Sequence, residues 1–417
     1  MCILLAALCL AACATPEPQT APPPVLAKPS AATAPAAPAA AAASAAPAPV
    51  AAPALPPLLP YDEAVLRAAQ ELLTRAALPA GERVAVVVDP LIDGISRAQT
   101  RSTQAIEARL GQEMKTRLRQ LELLPFTATN LGQATHLVIG TFTPINQQGK
   151  PEGERESYRF CLAMIELKSQ RLVSKTAVRA LREKVDASPL PYFQDAPIWA
   201  RDVSGEAYVR SCQALKMGEA ADPAYVAAWV QAASLNEGIR AYNARQYREA
   251  LALFERVRQS TGTVEVRALT GAYLANLRLN RGDAAAAAFG QLLDQGLQGG
   301  SLAVLFQFRP GAAQLVSERK LPQETWLKLL AHRLQGGSHC AEVAGHSSRD
   351  GPEVINERLS SLRAEHVRKR LAEEAPALDK RLLAVGYGSR EAKIGTARGD
   401  ASDALDRRVE IRPLACK

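Results

Sequence analysis

The sequence predicts a multidomain α+β protein on three grounds. A chain of 417 residues exceeds the roughly 100–200 that one core usually serves, so several folded units are required. Residues 14–60 hold 14 of the 28 prolines together with 19 alanines, a composition that makes a spacer and not a core. Beyond that spacer, strand and helix signals alternate to residue 221, turn wholly helical over 222–298 and become mixed again over 299–417. The expected parts are therefore an α/β domain at 61–221, a short helical-repeat segment at 222–298 and a separate C-terminal domain at 299–417.

Residues 1–12, MCILLAALCLAA, carry no charge and fall short of the about 20 apolar residues that span a bilayer, so they read as an export signal. Leu10-Ala11-Ala12-Cys13 resembles the lipobox of bacterial lipoproteins, in which small residues admit the signal peptidase and the cysteine thiol carries diacylglycerol. That resemblance implies an acylated Cys13 and, with Ala14 following it, residence on the cell outer membrane, facing the periplasm. Several acyl chains, at roughly 0.8 kcal/mol per buried methylene, hold a protein durably where one would not. Residues 13–60 then form the lipidated cysteine and its linker, which in polyproline-like extension reaches on the order of 150 Å.

In the first domain Tyr61 to Ala77 has helical spacing, and Arg83 to Val88 is a β-branched run ending at Asp89-Pro90. Ile106, Leu110, Met114 and Leu118 recur on one helix face. His136 to Phe142 reads as a strand, and Tyr158–Leu167 with Leu172–Val178 as a hairpin turning near Ser169-Gln170. Asp89 and Asp93 lack the spacing of a calcium loop and are expected as turn residues. In the helical segment, Gly238, Ala250 and Phe254 fall where a tetratricopeptide repeat wants its small, close-packing and aromatic residues. Ala275 and Ala287 echo the first two positions. This is a tetratricopeptide-like pattern, and residues 61–298 are expected to offer a surface to an envelope protein partner.

Several separated motifs in the last domain agree in order. Ala303–Phe308 suits a first strand and Glu324–Leu334 a first helix; AEVAGHSS at 341–348 is a strand and turn, and NERLSSLRA at 356–364 a helix. Gly386-Tyr387-Gly388 ends a further strand, and DRRVEI at 406–411 is the last. This succession resembles the C-terminal domain of OmpA-like proteins, which implies a βαβα-type fold that binds diaminopimelate-type peptidoglycan. In that family the arginine matching Arg363 grips the diaminopimelate carboxylate. The aspartate of its Gly-His-Thr-Asp turn receives the ammonium, and here that position is Ser348, with Asp350 two residues on. Asn356 and Arg407 fall in the matching motifs beside it. The residues alone mark Arg363 too: it interrupts the helical row of Leu359, Val367 and Leu371, so it must snorkel, pair with an internal carboxylate, or serve a ligand.

Apart from Cys13, four cysteines follow the signal, Cys161, Cys212, Cys340 and Cys416, and in an oxidising compartment they permit three pairings into two disulfides. With the strands placed as the resemblance implies, and running antiparallel, Cys340 meets Cys416 and Cys161–Cys212 remains. No spacing of Cys, His or acidic residues suits a metal, and no cofactor is expected. No Gly-x-Ser-x-Gly elbow, His-Glu-x-x-His helix or phosphate loop occurs, so the chain is not expected to be an enzyme. A net charge of +8 is spread along the chain with only 5% aromatics, which argues against nucleic acid. The function expected is an outer-membrane lipoprotein tethering the envelope to peptidoglycan; the alternative is a periplasmic assembly or regulatory scaffold whose last domain no longer binds the wall.

Overall fold

A computed structural model describes residues 55–76, 78, 82–117, 120–152, 154–200, 202–260, 265–300, 302–309, 311–315, 322–337, 340–392 and 403–416. Cys13 and the Ala/Pro-rich stretch through residue 54 lie outside them. No helix among the described residues is long and apolar enough to cross a membrane.

The chain enters through β1 (Leu58–Leu59) and α1 (Tyr61–Arg75), then runs β2 (Val84–Val88), β3 (Ile92–Asp93), α2 (Arg101–Arg117), β4 (Leu121–Leu124), α3 (Ala128–Leu131), β5 (His136–Ile145), β6 (Ser157–Glu166) and β7 (Arg171–Leu181). These strands form one sheet in the order β1-β7-β6-β5-β2-β4, with β3 against β5. The valine run of β2 suits a strand paired on both sides, and it lies parallel to β4 and to β5. The meander β5-β6-β7 is antiparallel and turns through Gln170, whose φ of 58° accommodates the tight hairpin. Helix α1 buries Ala64, Val65, Ala68, Ala69, Leu72 and Leu73, an i, i+4 stripe that covers one face of the sheet beside Phe142, Tyr158 and Phe160.

The other face is covered by α5 (Val203–Gln213) and by the start of α6 (Pro223–Asn243), after a short α4 (Pro191–Asp195) and β8 (Ile198–Ala200). The helices α7 (Tyr247–Ser260), α8 (Val266–Arg278) and α9 (Gly282–Gln298) follow as antiparallel hairpins on α6. Ala250 and Phe254 are fully buried, as the repeat pattern expects. Ala287 is exposed, however, because α9 turns Ala285, Ala288 and Phe289 inward in its place. The second sheet is built from β9 (Leu302–Val304), β10 (Cys340–Gly345), β11 (Leu382–Gly386) and β12 (Val409–Leu414), flanked by α10 (Gln323–Gly336), α11 (Glu353–Glu374) and a short α12 (Asp403–Asp406). Its order is β11-β10-β12-β9-β8.

The last strand of that order comes from before the helical segment. Ile198 pairs with Val304, so the chain enters the C-terminal sheet, leaves it for the helices α5 to α9 and returns beside itself. One apolar core accordingly runs from Tyr192 and Ile198 through Phe254, Phe289 and Trp326 to Val409 and Ile411.

Cys340 and Cys416 are joined in a disulfide. Cys161 and Cys212 are not: both are free buried thiols, with their sulfurs 2.9 Å apart, and this corrects the second expected bridge. The Cys161 thiol donates to the Cys212 carbonyl at 2.7 Å and the Cys212 thiol to the Cys161 carbonyl at 3.2 Å, so each is satisfied by backbone without oxidation. Burial pushes the Cys212 thiol well above its usual range.

Candidate functional site

The signature residues of the last domain gather where β10 ends and α11 begins. Gly345 closes β10, and a side chain there would strike the Ser360 carbonyl of α11 at 2.0 Å; only glycine lets the helix lie this close to the strand. Ser347 and Ser348 follow in a buried turn, Pro352 opens α11, and Asn356 and Arg363 project from its inner face. β10 and β12 are antiparallel, with Gly345 opposite Val409 and Cys340 opposite Leu414. The cystine therefore ties one end of this strand pair while the turn and Arg407-Arg408 share the other.

Arg363 is the unusual side chain. It is 0% exposed, so it does not snorkel. Its Nε donates to the Ala312 carbonyl at 3.1 Å, and its guanidinium carbon stands 5.1 Å from the centre of the Phe308 ring. Nη1 and Nη2, both buried, have no hydrogen-bond partner among the described residues, and no carboxylate there pairs with them. Burial, with some repulsion from Arg407, lowers its pKa to about 10, which still leaves it charged at neutral pH. Of the three possibilities left open by the sequence, snorkelling is removed and no internal carboxylate pairs with it among the described residues. A desolvated fork of donors suits an anion by its chemistry.

Around it, Asn356 is buried and its amide donates to the Gly351 carbonyl at 3.4 Å. Ser348 is 6% exposed, Asp350 is exposed on the rim and Arg407 is half-buried. The Ser347 hydroxyl, which sequence reasoning passed over, is also buried without a partner among the described residues. The adjacent Arg408 is quite different. It is fully buried with Glu410 at 2.7 Å and Asp406 at 3.9 Å, and it donates to the Glu391 carbonyl at 3.2 Å. Nothing in the DRRVEI motif distinguished it from Arg407.

His346 lies between these two regions, stacked on Tyr387 with ring centroids 5.5 Å apart. His346, Glu391 and Glu410 could offer three metal-ligand atoms within 4.8 Å of one another. Arg408 and Arg412 already engage those two carboxylates, so a cation would have to displace guanidinium groups. The three residues are better explained as the polar base of the sheet.

No protein-family model matches the chain. Over 69 residues it is 41% identical to outer membrane porin F of Pseudomonas fluorescens, a match covering 16% of this chain. The chain spans 21% of that porin's length. Among solved structures it is similar to the peptidoglycan-associated lipoprotein from Burkholderia pseudomallei, at 21% identity and a TM-score of 0.24, over 26% of this chain and 88% of that one. The periplasmic domain of Helicobacter pylori MotB matches at 19% identity and a TM-score of 0.23, over 28% of this chain and 76% of that one. The OmpA-like domain of FopA1 from Francisella tularensis matches at 18% identity and a TM-score of 0.21, over 27% and 73%.

Proposed function

We propose that this chain is an outer-membrane lipoprotein, anchored through Cys13, whose C-terminal domain holds peptidoglycan non-covalently by the diaminopimelate stem peptide. The observation that carries the reading is the buried Arg363 guanidinium with two free donor nitrogens. Arg363 takes the diaminopimelate carboxylate. Asn356 and Arg407 flank that contact, and Ser348, with Asp350 on the rim, faces the ammonium. Ser348 accepts a hydrogen bond but supplies no charge, so the ammonium contact is weaker than one made by a buried carboxylate.

The same feature favours a second reading, a periplasmic scaffold that uses residues 61–298 to dock an envelope protein and has lost the wall. Co-sedimentation of the full chain carrying Cys13→Ser with diaminopimelate-type sacculi separates the two. Retention of the protein in the pellet, reduced by Arg363→Ala, supports the tether. No retention of the unaltered site leaves the scaffold. Release of soluble wall fragments would contradict the non-enzymatic reading common to both.

A further inference from the structure

A second polar cavity lies in the first sheet, far from the residues described above in sequence. From β2 the chain passes through α2 to β4 on one side and then through α3 to β5 on the other. The carboxyl end of β2 is thus a topological switch point, the place where open α/β sheets leave a crevice for ligands. Here the crevice is a cavity of about 460 Å³, within the range of roughly 300–1,000 Å³ usual for small-molecule sites.

Two helices face each other across it. From α6 come Asn236, Arg240 and Asn243, at i, i+4 and i+7 on one face; from α2 come Thr103 and Glu107, also one turn apart. Asn236 is 5% exposed, and its Oδ1 is buried with no hydrogen-bond partner among the described residues. An amide oxygen left unpartnered in this position is unfavourable unless something binds it. Arg240 stands at the exposed mouth, and neither it nor Glu107 makes an ion pair among the described residues. Glu107 accepts only the Leu91 backbone N–H, at 2.6 Å. The cavity therefore carries, on opposing walls, a cation and a carboxyl without ion pairs and an amide oxygen without a hydrogen bond among the described residues.

We propose that this cavity binds a small zwitterion, an amino acid or dipeptide, with Arg240 holding its carboxylate and Glu107 and Asn236 holding its ammonium and amide. Burial raises the empty Glu107 carboxyl to about 8, and a bound ammonium supplies the opposite charge that draws it back to the ionised form. The site is independent of wall binding.

Calorimetric titration of the full chain carrying Cys13→Ser with alanyl-alanine tests the assignment, beside N-acetylalaninamide, which has neither charge. Alanyl-alanine is expected to bind with a dissociation constant of roughly 1 mM or tighter, and the neutral compound not to bind. Asn236→Leu and Arg240→Ala should each weaken binding by about tenfold or more while retention on sacculi is unchanged. If Asn236→Leu unfolds the protein, the exposed Arg240→Ala variant still decides. Equal binding of the charged and neutral compounds, undiminished binding by Arg240→Ala, or no binding of alanyl-alanine at all overturns it.

Discussion

Arg363 and Arg408 lie on adjoining parts of one small domain and both are fully buried, yet their surroundings are opposites. Arg408 is held by the Glu410 carboxylate and approached by that of Asp406, whereas Arg363 has a carbonyl and an aromatic ring. Burying a charge is expensive, and two outcomes stabilise it: a partner within the fold or a partner from outside. Arg408 belongs to the architecture. Arg363 is desolvated and has no carboxylate partner among the described residues.

The largest effect expected from this contrast is on stability. Arg408→Met takes the nearest cation from the buried Glu410 and Asp406, leaving Arg412 on Glu410 at 3.0 Å, and should destabilise by about 3–5 kcal/mol in urea denaturation. Arg363→Met removes a charge that nothing within the fold compensates, and should change stability by less than about 1 kcal/mol in either direction. A collapse of Arg363→Met to the level of Arg408→Met would erase the distinction.

Asp89 extends the comparison to a carboxyl group. It was expected in a turn; Asp93 is so placed, accepting from the Ile95 and Ser96 backbone, but Asp89 is 7% exposed and bonded by the Tyr225 hydroxyl at 2.6 Å. Burial raises it to about 7, against the weaker opposing pull of that hydrogen bond. A carboxyl whose folded pKa exceeds its unfolded one binds its proton more tightly when folded, so its contribution to stability falls as pH rises from about 4 to about 7 and is flat above. Asp89→Asn keeps an acceptor for Tyr225 and removes the titration. The stability difference between the two proteins should therefore be small near pH 4 and should favour the variant by roughly 4 kcal/mol at pH 8. A difference that does not vary with pH would show Asp89 to be ionised in the fold.

Smaller effects concern the ligand. A charge-assisted contact is worth about 1.5–3 kcal/mol, so Arg363→Ala should weaken retention on sacculi by roughly one to two orders of magnitude, with the circular-dichroism melt unchanged. Ser348→Asp places a carboxylate in the turn after β10 and should strengthen retention by about tenfold. Weaker retention on that change would mean that the new carboxylate pairs with Arg363 instead of with the ligand.

The position of Arg363 was legible because helical periodicity exposes a charge in an apolar row. What surrounds it was not, since Phe308 and Ala312 come from a loop 51 to 55 residues earlier. Arg407 and Arg408 are neighbours of one type just ahead of β12, and only the turn that leads into that strand decides which is turned inward. The second pair was reached only as the remainder of the first, and elimination could not show that Cys161 and Cys212 are free thiols that each meet a backbone acceptor. The three residues of β8 are too few to show a pattern, so its entry into the C-terminal sheet was invisible, as were the lone amide and carboxyl at the end of β2.

The placement of β12 has a mechanical meaning. A strand placed as β12 is, with β10 on one side and β9 on the other, is peeled from a sheet one hydrogen bond at a time when pulled from one end. The Cys340–Cys416 bond rivets that end to β10, so the zipper has no loose tab. A pull applied at the turn beside Ser348 then loads the strands lengthwise, and β9 and β8 hand the tension across the sheet to the chain between β7 and α5.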